Sequence, residues 1–171
     1  MGQNRKPRKP YRPKVGRKDT VTTLFDGDEP LKGELKEKVL MTTHLCATRL
    51  AQGDGTQQDW GAIVTAMNLS MVLCERAKNQ NVGLAAVYDA NNALIAVQER
   101  FFEIGRRVFK GEELVAMNGG LHVFDQLVET VSKRQYVWAS DQVEQRMYDG
   151  LSIAIGPGQK KTRYELRETA A

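Results

Sequence analysis

The sequence predicts an all-α fold, a bundle of about five helices with a disordered basic N-terminal arm and a flexible polar C-terminal tail. Three observations lead there. Apolar residues recur at alternating spacings of 3 and 4 through successive stretches, as on the buried face of an amphipathic helix. Glycine-rich or polar breaks separate those stretches, and two of the breaks end in a capping residue. Pro7, Pro10 and Pro13, three of the five prolines, keep the N-terminus out of the bundle, because proline lacks an N–H and pushes its predecessor out of the α region.

The arm, residues 1–18, holds Arg5, Lys6, Arg8, Lys9, Arg12, Lys14, Arg17 and Lys18 with no acid. The chain's net charge is +4, so the remainder carries 17 basic against 21 acidic residues, or −4. The sequence pI near 9.1 therefore belongs to the arm and describes no basic surface on the folded body. Residues 19–158 form the helical domain and 159–171 the tail. Within the domain, Asp26 to Glu29 make a polar turn, and Leu24 and Phe25 are expected to pin the entering chain onto the body.

The first helix is predicted over Leu31–Gln52, with Leu35, Val39, Cys46 and Leu50 facing inward, and Gly53-Asp54-Gly55 stops it. Thr56 caps the second, with Asp59 completing a capping-box-like pair. Trp60, Ile63, Val64, Met67, Met71 and Cys74 line its inner face, and it ends near Asn79 to Asn81. The third runs from about Val82 to Phe109 through Val87, Ala90, Leu94, Val97, Phe101, Ile104 and Val108. At 1.5 Å per residue it extends roughly 40 Å and should form the spine. The fourth repeats the seam from Leu114 to Val131, where Gly119-Gly120 marks either a kink or a close approach of two backbones. Ser132, with Gln135 three residues on, caps the fifth, whose inner face is Tyr136, Ala139, Val143 and Met147. Leu151 to Ile155 is a short β-prone run. Seams with heptad-like spacing pack at shallow angles.

A chain of 171 residues suffices for one core, and 41% apolar with 27% charged residues is ordinary for a globular protein. No apolar run approaches the ~20 residues that cross a bilayer, and no apolar block of a secretion signal follows the basic start, so a cytoplasmic location is expected. Cys46 and Cys74, each flanked by apolar residues, read as buried thiols in a reducing compartment.

Catalytic chemistry is sparsely represented. A metal site needs convergent ligands, usually at short local spacing, and neither C-x-x-C nor H-x-x-x-H occurs. His44 and Cys46, two apart on a helix, point to nearly opposite sides, so a set of His44, Cys46, Cys74 and His122 reads better as separate residues of the fold than as ligands. His122 and Asp125, three apart, are placed to interact along one helix, as a satisfied imidazole rather than a catalytic pair. No nucleophile elbow is present, and neither cysteine has an activating base in sequence. Gly53-Asp54-Gly55-Thr56 sits at a helix start but lacks the phosphate-loop lysine and spacing, and Asp54 would repel an anion. No catalytic residue, cofactor or metal site is assigned, and the balance leans against an enzyme.

The arm is the segment whose composition implies a partner. Its eight cations can neutralise phosphates, and Tyr11 can stack on a base, so Arg5, Lys6, Arg8, Lys9, Tyr11, Arg12, Lys14, Arg17 and Lys18 are candidate contacts to RNA or DNA; a solubilising tail is the competing reading. Asn91 and Gln98 place amides near an apolar seam, where asparagine can fix register or oligomeric state, and Gly119 and Gly120 are candidates for a close helix contact of the same kind.

Two stretches carry a resemblance: Lys9-Pro10-Tyr11-Arg12-Pro13-Lys14, and Phe109 through Asn118 followed by His122 and Phe124-Asp125-Gln126-Leu127. Together they resemble small uncharacterised proteins carried by phages and plasmids of proteobacteria, which share a basic Lys-Pro-Tyr-Arg-Pro opening; in that pattern the histidine and aspartate are adjacent, unlike His122 and Asp125. The resemblance implies an accessory product of a mobile element, expressed inside bacteria. Taken with the absent catalytic motifs, the expectation is a non-enzymatic helical binding module that docks onto a host or phage protein, with homo-oligomerisation possible. The alternatives are a nucleic-acid-associated protein gripping the backbone with its arm, and a helical pocket that sequesters a small anionic ligand.

Overall fold

The computed structural model describes residues 29–31, 33–77 and 83–149, and these form five helices in chain order: α1 (Gly33–Gln52), α2 (Gln57–Arg76), α3 (Leu84–Ile104), α4 (Gly111–Thr130) and α5 (Lys133–Tyr148). The arm, Leu24 and Phe25, Leu151 to Ile155 and the tail lie outside the described residues, as do the expected boundaries at 18 and 158. Among the described residues no helix is long and apolar enough to cross a membrane.

Local chemistry places several ends where the spacing puts them. Thr56 Oγ1 accepts from Asp59 N–H at 3.2 Å, and the Asp59 carboxylate accepts from Thr56 N–H at 2.8 Å, a complete capping box. Ser132 and Gln135 repeat it at the start of α5. Just before that cap the entering chain is tied down: Leu31 N–H donates to Val131 C=O at 3.1 Å, and Lys133 N–H donates to Glu29 C=O at 2.9 Å.

The spine is α2 rather than the third helix. Thirteen of its 20 residues are buried, because α1, α3, α4 and α5 all pack against it. The third helix is also shorter than its apolar repeat suggests. It stops at Ile104, where Gly105 adopts the left-handed conformation (φ 72°) and its N–H closes on Phe101 C=O at 2.8 Å. The second stops at Arg76, short of Asn79.

One cluster centred on Leu50, Trp60, Met67, Leu94 and Phe124 joins α1 to α4, and a second seats Ala139 and Val143 of α5 against Leu69, Val72 and Leu73 of α2. The glycine pair is no break, since α4 is continuous through it. A Cβ on Gly120 would lie 2.5 Å from Ala90 Cβ and 2.8 Å from Met67 Sδ, so this glycine is where α2, α3 and α4 converge; one on Gly119 would meet only Ala86 Cβ, at an ordinary 3.9 Å. Asn68 and Asn91, the residues that follow Met67 and Ala90, are fully buried, with amide groups that have no hydrogen-bond partner among the described residues. Asn91 and Gln98 are both buried within the chain.

Two inward assignments are corrected at the margins. Leu35 is 50% exposed, because the first turn of α1 lies at the open rim of the bundle. Met147 is 38% exposed, in the last turn of α5 beyond Val143, the last residue of that helix in the core.

Candidate functional site

The six residues that join α3 to α4, Gly105–Lys110, lie where the sequence predicts continuing helix. They contain Arg106, Arg107 and Lys110 and no acid. Around the cations stand exposed apolar side chains: Phe102 at 54%, Ile104 at 55% and Val108 at 39%, with Val115 on α4 also exposed. Phe102 and Ile104 lie two apart in the last turn of α3 and so face different sides of it, while Val108 stands on the connection itself.

The connection is braced from both helices. Arg100 of α3 donates through Nη1 to Val108 C=O and forms a two-pronged ion pair with Glu113 of α4, one bond of which measures 3.1 Å. Glu113 also accepts from Lys110 N–H at 2.7 Å, so one carboxylate holds both the guanidinium and the start of α4. Burial by itself would raise the Glu113 pKa, but the Arg100 guanidinium and the Lys110 N–H outweigh it and hold the carboxyl below its ordinary range.

Arg107 is the centre of the arrangement. Its guanidinium lies 3.9 Å from the Phe101 ring centroid and 5.1 Å from that of Trp60, a fully buried ring. Nε–H donates to Gln98 Oε1 at 3.3 Å and Nη2 to Gln57 Oε1 at 2.6 Å. These neighbours are aromatic faces and neutral amides; among the described residues no carboxylate lies within ion-pair distance. Burial lowers its pKa, but an arginine remains charged across the physiological range. Gln98 Oε1 is thereby given a donor partner in the Arg107 guanidinium.

Next to this centre, Asp59 is buried and its pKa is lowered to about 2, first by the Thr56 N–H, then by the Thr56 hydroxyl and the Cys46 thiol. Arg49 Nη1 stands 3.6 Å away. The Cys46 thiol is pushed up by burial and by donating to that carboxylate, and Cys74 is pushed up by burial and the nearby Glu75. Both thiols are free, buried and held protonated, the opposite of what a nucleophile needs.

The His122 and Asp125 pairing is corrected. Asp125 instead reaches across to α1, where His44 Nε2 lies 2.9 and 3.0 Å from its two oxygens, and His122 meets Gln126 one turn along α4 at 3.0 Å. Antiparallel packing of α1 on α4, with Lys36 paired to Glu129 farther along, brings His44 closer to that carboxylate than the helix's own i+3 spacing brings His122. Among the described residues no three His, Cys, Asp or Glu side chains are grouped to hold a metal ion.

The described residues also line two recesses. One, of about 340 Å³, is apolar and runs between α1 and α2 past Leu35, Val39, Ala66, Leu69 and Tyr136. The other, of about 400 Å³, is polar and lies at the start of α5 between Arg76, Thr130, Ser132 and Arg134. Two N–H groups there that would face an anion are already bonded, Lys133 to Glu29 C=O and Gln135 to Ser132 Oγ.

Sequence reasoning missed the connection because Phe101, Ile104 and Val108 continue the helical spacing across it. The signals were Gly105 followed by two arginines, a C-terminal stop pattern, and Glu113 three residues after Lys110, half of a capping box. No family model matches this chain, and neither a curated protein nor a solved structure shows significant similarity to it.

Proposed function

We propose that the protein is a non-enzymatic helical binding module that docks a partner protein at the α3–α4 connection. The observation that carries this reading is the exposure of apolar side chains on both sides of this junction, Phe102 and Ile104 in the last turn of α3 and Val108 on a connection held in one conformation by Arg100, Glu113 and Gln98. A braced loop loses little conformational entropy on binding, and apolar side chains on such a loop desolvate at small ordering cost. Protonated buried thiols and the absence of a metal-ligand group among the described residues give no support to a catalytic alternative. The resemblance to mobile-element proteins supports a host or phage protein as the partner and the bacterial cytoplasm as the place.

The test is affinity purification of the tagged full chain from its native host, with and without nuclease, beside a Phe102→Ser/Ile104→Ser/Val108→Ser variant. The reading expects one protein retained after nuclease treatment and lost from the triple variant, whose circular dichroism matches the parent. Retention by the variant would overturn it.

A second reading rests on the arm, where eight cations and Tyr11 favour RNA or DNA contacts. It expects oligonucleotide affinity that falls steeply with salt and disappears when residues 1–18 are deleted. The polar recess at the start of α5 gives less support to a small-anion reading, because N–H donors of that helix start are already engaged.

A further inference from the structure

We infer that the docking surface at the α3–α4 connection recognises a peptide segment in which an aspartate or glutamate stands beside apolar side chains, the carboxylate binding the open edge of the Arg107 guanidinium. This rests on the docking reading above and adds the chemistry of the partner.

An arginine has five N–H donors in a planar fork, and the described neighbours of Arg107 accept from two of its nitrogens, Nε and Nη2. Nη1 has no acceptor among the described residues. The fork is held by two aromatic faces and two amides, so its orientation is fixed before any ligand arrives. No carboxylate of the described chain neutralises it, although Glu113 lies within the same brace and is engaged by Arg100 instead. A partly buried guanidinium with fixed direction and no counterion among the described residues is complementary to a planar carboxylate, which it can bind in two parallel hydrogen bonds.

The surroundings select among anions. Arg106 and Lys110 extend the positive field along the connection, and Phe102, Ile104 and Val108 interrupt it with apolar area. Of the rings at this junction Phe102 is the exposed one and Trp60 is wholly covered, which leaves successive bases of a single strand little to stack on. Glu103 and Glu112 flank the connection and oppose a polyanion, while a single carboxylate on an apolar segment avoids them. The charge and the apolar side chains together fit an acidic-apolar peptide.

The experiment uses the immobilised full chain and a phage-displayed library of random peptides, selected in the presence of nuclease. Enriched peptides are then titrated by fluorescence anisotropy against the parent, Arg107→Gln, Arg107→Lys and Phe102→Ser/Ile104→Ser/Val108→Ser, each checked for unchanged melting. A labelled single-stranded oligonucleotide serves as the competing probe.

The expected result is enrichment of Asp or Glu next to Leu, Ile, Phe or Trp, and about a tenfold or greater loss with Arg107→Gln. Arg107→Lys should recover part of it, because lysine keeps the charge without the fork. Enriched peptides without an acid, or bound equally by Arg107→Gln, would overturn the carboxylate assignment while leaving protein docking intact. Failure to enrich any peptide, or binding indifferent to the triple apolar variant, would remove the docking reading as well. Oligonucleotide binding lost with Arg107→Gln would overturn the peptide in favour of nucleic acid.

Discussion

At the scale of single residues, Asp59 and the two adjacent glycines give the sharpest expectations. The Asp59 pKa falls from an ordinary value near 3.8 to about 2 on folding. A carboxyl depressed in this way contributes stability that is complete above its unfolded pKa and is lost as pH falls toward the folded one. Asp59→Asn should therefore cost on the order of 2 kcal/mol at neutral pH. Its denaturation midpoint should converge on the parent's as pH approaches 2; a pH-independent difference would show that the ionised carboxylate is not the source. Gly119 and Gly120 should behave oppositely despite being neighbours. Gly119→Ala keeps ordinary contact distances and gains about 1 kcal/mol of helix propensity. Gly120→Ala drives a methyl into Ala90 Cβ, and overpacking of about 1–3 kcal/mol should exceed that gain. Thermal melts of the two variants moving in the same direction would contradict this account.

At the scale of elements, the helix pairs explain both the rigid connection and a buried defect. The Arg100–Glu113 pair links the end of α3 to the start of α4 across the connection. Glu113→Gln leaves a largely buried guanidinium without its carboxylate and should cost on the order of 2 kcal/mol. Amide exchange at Val108 and Lys110 should accelerate in that variant while exchange in the middle of α2 changes only with global stability. Since the Glu113 pKa is also depressed, the same bracing weakens on acidification, as the carboxyl protonates. Asn68 on α2 and Asn91 on α3 bury amides without partners among the described residues, each at the cost of lost hydration. Asn91→Leu, similar in size and apolar, should raise the urea midpoint; a fall would mean the amide contributes a bond that the packing conceals.

At the scale of the whole molecule, every other helix leans on α2, which gives the bundle one core rather than separable halves. The end helix α5 is attached to it by Ala139 and Val143 in the core, by the Arg146–Glu75 ion pair, and by Arg76 stacked 4.2 Å from the Trp138 ring. Unfolding should accordingly be a single cooperative transition, with far-ultraviolet dichroism and tryptophan fluorescence, which reports Trp60 in the centre and Trp138 on α5, giving the same midpoint. Two midpoints would show that α5 detaches first. Phe124→Ala, at the meeting of α1, α2 and α4, should lower that common midpoint by about 3–5 kcal/mol of stability.

The sequence by itself determined the helical class, the five helices of the described residues and the starts of α2 and α5. Spacing of 3 and 4 and the Thr56–Asp59 and Ser132–Gln135 pairs act within a few residues, so local chemistry suffices. It also placed Cys46 and Cys74 in the interior and the positive charge in the arm. Only the tertiary structure decided that α2 is the spine, since a helix's rank depends on how many neighbours it meets and not on its own repeat. The same holds for Asp125, which His44 reaches from another helix, and for Gly120, whose missing side chain matters only because Ala90 and Met67 approach it. The connection at Arg107 was hidden because the apolar rhythm runs on through Val108: Gly105 ends α3 locally, but the contacts that hold the loop come from Arg100, Glu113, Gln57 and Trp60, outside the loop itself.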